Sequence, residues 1–148
     1  MTSQGFVKPL PTIATMEQVE TLHGCQVGFL WEGRIFVVKM TDSARTTVDA
    51  WAQRATDLRA AWAHPVVLTL LDMTAEKAGP TPYIKTRSQE ILKVRPDLRS
   101  FFAFNLSKSV VGRVVSLALR SASTPTHTYR AFFNEREAID WLMEHVNG

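Results

Sequence analysis

The stretch Thr126 to Leu142, THTYRAFFNEREAIDWL, decides the fold class because it runs a strand, a helix cap and an amphipathic helix together without a break. His127 to Phe133 is rich in residues that pack well on a pleated backbone. Asn134 with Glu137 forms an N-cap and its capping-box partner, which together satisfy amides that open a helix. Ala138, Ile139, Trp141, Leu142 and Val146 then recur at helical spacing, so the strand feeds directly into a helix with one apolar face.

The same grammar recurs upstream. Cys25 to Trp31 and Arg34 to Met40 are β-rich runs separated by Glu32-Gly33, a dipeptide suited to a tight hairpin because glycine accepts positive φ. The first of these runs is expected at a sheet edge. Thr46 with Asp49 is read as the start of a helix carrying Val48, Trp51, Ala52, Ala55, Leu58 and Trp62, which Pro65 stops. Val66 to Leu71, VVLTLL, lacks alternation and reads as a central parallel strand covered on both faces. A loop from Met73 to Pro80 leads to Thr81 and Pro82, an N-cap followed by proline where its missing amide hydrogen costs nothing. Ile84, Ser88, Ile91 and Leu92 share the face of that helix, and Leu98 to Leu106 is the next strand. Ser107 is expected to cap a further helix with Val110, Val111, Val114, Val115 and Ala118.

The expected order is β-β-α-β-α-β-α-β-α, a single layered α/β domain on a mostly parallel five-stranded sheet with an N-terminal hairpin. Residues 1–14, which include Pro9 and Pro11, read as a flexible arm, and residues 15–148 as the domain.

A chain of 148 residues, 45% hydrophobic and 21% charged, can bury a core without disulfides. Cys25 is the only cysteine, which rules out an intramolecular disulfide and points to a reducing cytoplasm. The N-terminus lacks a basic start and a long apolar run, so no secretory signal is expected. No segment reaches the roughly 18 to 20 apolar residues of a membrane span. His23, His64, His127 and His145 are scattered, and no GxGxxG, HExxH or GxSxG motif occurs. Neither a metal, a cofactor nor a catalytic residue is expected, so the chain reads as a protein that is not an enzyme.

Open α/β sheets bind ligands outside the carboxyl ends of their strands, where helix N-termini present free amides. Here that rim comprises Thr41, Asp42 and Ser43; Asp72, Thr74 and Thr81; Asn105, Ser107 and Lys108; and Asn134 and Glu135. Asp42, Asp72, Thr74, Thr81, Ser107 and Lys108 are the candidate surface for a partner or ligand. Capping alone also calls for Ser, Thr, Asp and Asn at such positions. Phe29 and Trp31, on the expected edge strand, are the candidate dimer edge, since an unprotected apolar edge invites pairing.

The element order, the hairpin at Cys25 to Met40 and the closing FFNEREAIDWL resemble a STAS-type domain, the fold of anti-sigma-factor antagonists, itself similar to CRAL-TRIO lipid-binding domains. The resemblance spans roughly residues 22 to 146 and rests on topology and on Phe132, Ala138, Trp141 and Leu142. It implies a non-enzymatic regulatory module that binds a protein partner or a second copy of itself as a homodimer, with Thr74 to Val94 as the contact segment. From the CRAL-TRIO side it implies instead a carrier of a small lipid-like molecule held between helices and sheet. In the antagonists a strand end similar to Leu71-Asp72-Met73-Thr74 leads to a phosphorylatable serine, and the resemblance places Thr81 at that phosphoacceptor position. Pro80 stands where the family has Asp, and Pro82 where it has a small residue.

Between Lys85 and Arg120 eight basic residues face only Glu90 and Asp97, a local excess of six positive charges, while the chain as a whole is +3. The aromatics of that segment, Phe101, Phe102 and Phe104, lie in an expected buried strand and so cannot stack on bases as single-strand binders require. No tight complex with nucleic acid is therefore expected at about 0.15 M salt. Fluorescence anisotropy with labelled DNA and RNA checks this, and a sub-micromolar complex contradicts it.

Overall fold

The chain folds around a six-stranded sheet whose strands are hydrogen-bonded in the order in which they occur. The computed structural model describes residues 10–147. The strands are β1 (Glu17–Leu22), β2 (Cys25–Leu30), β3 (Ile35–Met40), β4 (Val66–Met73), β5 (Arg99–Leu106) and β6 (His127–Phe132). β1 to β3 form an antiparallel meander, and β3 to β6 run parallel. Helices α1 (Arg45–Ala60), α2 (Pro82–Lys93) and α3 (Val110–Ala122) make the crossovers, and α4 (Glu135–Met143) follows β6. Each crossover steps one strand in the same direction, so the right-handed rule keeps α1, α2 and α3 on one face. The other face is left to α4 and to a single 3₁₀ turn, Ile13–Thr15.

Strand parity divides the core accordingly. Val27, Phe36, Val38, Leu71, Phe102 and Phe104 pack against α1 and α2 through Val48, Trp51, Ile84 and Ile91. Leu30, Val37, Leu68, Leu70 and Phe101 meet Ile139, Trp141 and Leu142 of α4. Among the helical crossovers sits a buried cation, Arg59, 3% exposed, whose guanidinium donates to the carbonyls of Val94 and Arg95 and to Ser100 Oγ at 2.5, 3.2 and 2.8 Å. It clasps the end of α2 to α1 and β5, and burial pulls its pKa down.

The α/β class and mostly parallel sheet are as expected, but the sheet has six strands, not five, and its order starts β-β-β. β1, EQVETL, has no buried residue and so no apolar alternation by which to read it. It pairs with β2 through the backbone, with an irregularity between Glu17 and Glu20 where Gln18 takes φ 54. Polar side chains and a bulge on an edge strand discourage pairing with other chains. This corrects the dimer edge: β2 lies between β1 and β3, and Phe29, 9% exposed, packs on Phe36. Trp31, 40% exposed, sits in the β2–β3 turn.

Other boundaries also shift. Of the expected arm, residues 1–9 lie outside the described residues. The part from Pro11 onward is docked: the Ile13 amide donates to Glu135 Oε2 at 3.1 Å, and Arg136 donates to the Pro11 carbonyl at 2.8 Å. Thr81 and Asn134 cap α2 and α4 as read, accepting from the Ile84 and Glu137 amides, each at 3.2 Å. α1, however, starts after Ala44 and not at Thr46, and α3 is capped by Ser109, which accepts from the Gly112 amide, rather than by Ser107. Val114, read among the apolar positions of α3, is 61% exposed.

Trp51 is 2% exposed and central to the α1 face. Trp51→Ala is expected to cost about 3 to 5 kcal/mol, the usual range for deleting a large buried aromatic. A urea titration reads this as a lowered midpoint, and an unchanged midpoint would contradict the placement.

Candidate functional site

Parallel strands deliver their carboxyl ends to one rim, and here the loops at that rim are stitched together. After β3, Asp42 Oδ1 accepts from the Ala44 amide at 2.9 Å and the Thr47 hydroxyl at 2.6 Å. These bonds, the Thr47 hydroxyl first, hold the Asp42 carboxyl below its ordinary range. They also start α1, which has no side-chain cap of its own. The next residue, Ser43, donates its hydroxyl to the Gly79 carbonyl at 2.6 Å and accepts from the Gly79 amide at 2.7 Å. Asp42 and Lys77 form an isolated parallel backbone bridge. At the end of β4, Asp72 Oδ1 accepts from both the amide and the hydroxyl of Thr74, at 3.1 and 2.7 Å. The connector from Thr74 to Thr81 is thus fixed at its start by Asp72, in its middle by Ser43 and at its end by the Thr81 cap. Along the seam beyond it, Tyr83 donates to Asp49, and Arg45 lies 4.4 Å from the centre of the Tyr83 ring.

Asp42, Thr74 and Thr81 therefore belong to one surface, built from the β3–α1 junction and the β4–α2 connector, with the buried Asp72 bracing Thr74 from beneath. Ser107 and Lys108 sit exposed one strand over, between β5 and α3. Thr74, Glu76 and Lys77 are exposed on the connector, whereas Asp72 is 6% exposed. The residues that sequence reasoning missed here are the connector's fasteners, Lys77 and Gly79, which carry no local motif.

A second feature lies beneath the rim, on the α4 face. Gln26, Lys39, Asp72 and Asn105 are register partners across β2, β3, β4 and β5. They project from the face that buries Leu30, Val37, Leu70 and Ala103, and so form a polar row at the end of an apolar sheet. Gln26, Lys39 and Asp72, together with Ile13, Met16 and Glu135, line a hollow of ≈ 300 Å³. Sequence reasoning marked Asp72, Asn105 and Glu135 but not Gln26 or Lys39. A signal was present: β3, β4 and β5 each have a polar residue next to last, and antiparallel β2 has one second.

By contrast, the gap between sheet and helices, lined by Phe36, Trp51, Leu58, Ile91 and Phe102, measures ≈ 20 Å³. That is room for about one water molecule. Cys25 is buried, and burial pushes its thiol up to about 11, so it is a poor nucleophile at neutral pH. Among the described residues no three His, Cys, Asp or Glu side chains gather as a metal site, and no helix is long and apolar enough to cross a membrane.

No protein-family model and no curated protein matches the sequence. The structure is similar to the crystal structure of an uncharacterized protein of the DUF3478 family from Shewanella loihica PV-4, which has a SpoIIAA-like fold. The TM-score is 0.58 at 19% identity, over 83% of this chain and 97% of that one. The chain therefore has a SpoIIAA-like fold.

Because Asp42 is held ionised by bonds that form only on folding, its contribution to stability is present above its ordinary pKa of 3.8 and is lost as pH falls through the lowered folded value. Asp42→Asn is expected to flatten this acid limb. Urea midpoints between about pH 2.5 and pH 5 measure it; an acid limb identical to that of the unaltered protein would contradict the assignment.

Proposed function

We propose that the chain is a non-enzymatic STAS-like binding module, working in the cytoplasm, which recognises a protein partner through the surface that runs from Asp42 over the connector onto α2. One observation carries this reading. The connector is exposed at Thr74, Glu76 and Lys77, yet its backbone is tied to the start of α1 by the reciprocal Ser43–Gly79 bonds. A protruding loop already fixed before contact gives up less conformational entropy on association. The SpoIIAA-like fold supports the reading as a STAS-like module.

Thr81 lies within the same surface at the N-terminus of α2, where added phosphate is electrostatically favoured. Phosphorylation there would place about −1.5 to −2 charges amid the contact area and alter what it binds. The partner is a second protein or a second copy of the chain. A lipid-like ligand between helices and sheet has less support, since the space there is ≈ 20 Å³. The cytoplasmic assignment leans on Cys25, buried and unpaired as a free thiol.

A photo-crosslinking residue placed at Lys77, and at Asp140 on α4 as control, tests the reading in the native cell. A discrete protein adduct from Lys77 and none from Asp140 is expected. Equal labelling at both positions, or a native mass spectrum showing a retained lipid and no protein adduct, would count against it.

A further inference from the structure

We propose that the ≈ 300 Å³ hollow over Gln26, Lys39 and Asp72 binds a small zwitterion, a free α-amino acid or a molecule of that chemistry with one ammonium and one carboxylate. The hollow lies at the carboxyl ends of the central strands and has the size of a small-molecule site, about 300 Å³ or more.

Its charges are arranged for a dipolar guest. Lys39 and Asp72 are register partners on adjacent parallel strands, about 4.8 Å apart along the sheet, and both line the hollow. Among the described residues no ion pair joins them. Asp72 spends its Oδ1 on Thr74, and its Oδ2 is bonded to no described residue. An ammonium fits against the two carboxylates that line the hollow, Asp72 and Glu135.

A carboxylate then falls to Lys39 and the amide of Gln26, the other half of the row. Ile13, Met16 and Val19 form an apolar wall suited to a small aliphatic side chain. An anion alone would face Asp72 and Glu135, and a cation alone would face Lys39. Only a guest carrying both charges satisfies the two halves together. The Ile13 amide, bonded to Glu135 Oε2 at 3.1 Å, ties that wall to the start of α4.

Isothermal titration of the full chain with glycine, alanine, valine and serine at about 10 mM tests this. Acetate, ethylammonium and inorganic phosphate serve as singly signed controls. At least one amino acid is expected to saturate at a single site, with every control about tenfold weaker or more. Lys39 is exposed, so Lys39→Met should leave the urea midpoint unchanged while weakening that amino acid about tenfold. Gln26→Leu, also at an exposed position, should weaken it less. The proposal is overturned if no amino acid saturates, if acetate or phosphate binds as tightly, or if Lys39→Met leaves the affinity unchanged. Crosslinking at Lys77 reads a different surface and stands or falls separately.

Discussion

β4 is hydrogen-bonded along both edges, to β3 and to β5, and every residue from Val66 to Met73 is buried. A strand so enclosed must be covered on both faces, and that requirement organises the molecule. Val67, Leu71 and Met73 look toward α1 and α2, while Val66, Leu68 and Leu70 look toward α4. Apolar burial contributes about 25 cal/mol per Å² removed from water, so neither layer of helices can be lifted away without exposing β4. The crossovers supply one layer by topology. The other comes from the segments that flank the sheet in sequence, the Ile13–Thr15 turn before β1 and α4 after β6, which meet there.

This arrangement also explains where polar chemistry collects. The apolar faces run out at the carboxyl ends of the strands, and on β4 the change comes at Asp72. That side chain serves both features of the rim. One oxygen ties down Thr74 and with it the connector toward α2, while the side chain also lines the hollow beside Lys39. The exposed connector and the recessed hollow therefore share a wall, and substitution at Asp72 disturbs both.

How much of this is legible in the sequence follows from where each residue's signal resides. VVLTLL declares a doubly covered strand because it has no polar alternation, and Thr81-Pro82 and Asn134 with Glu137 declare helix starts through short-range bonds that the structure contains. β1 is silent because its place depends on backbone pairing with β2 and not on side-chain burial. The start of α1 is misread at Thr46 because Asp42, two residues before Ala44, does the capping from outside the helix. Ser107 and Ser109 are chemically equivalent caps two residues apart, and the helix uses Ser109. Gln26 and Lys39 become meaningful once register sets them beside Asp72, a relation spread over three strands, β2 to β4. The misplaced edge at Phe29 follows directly from the unseen β1.

The connector after β4 is preformed, held by Ser43 to the start of α1. Amide hydrogen exchange of the free protein measures this at Gly79, whose amide donates to Ser43 Oγ at 2.7 Å. Gly79 is expected to be protected despite lying in a surface loop, and Ser43→Ala to abolish that protection while β4 amides keep theirs. Exchange at Gly79 as fast as in an unstructured peptide, or protection unchanged by Ser43→Ala, would contradict it.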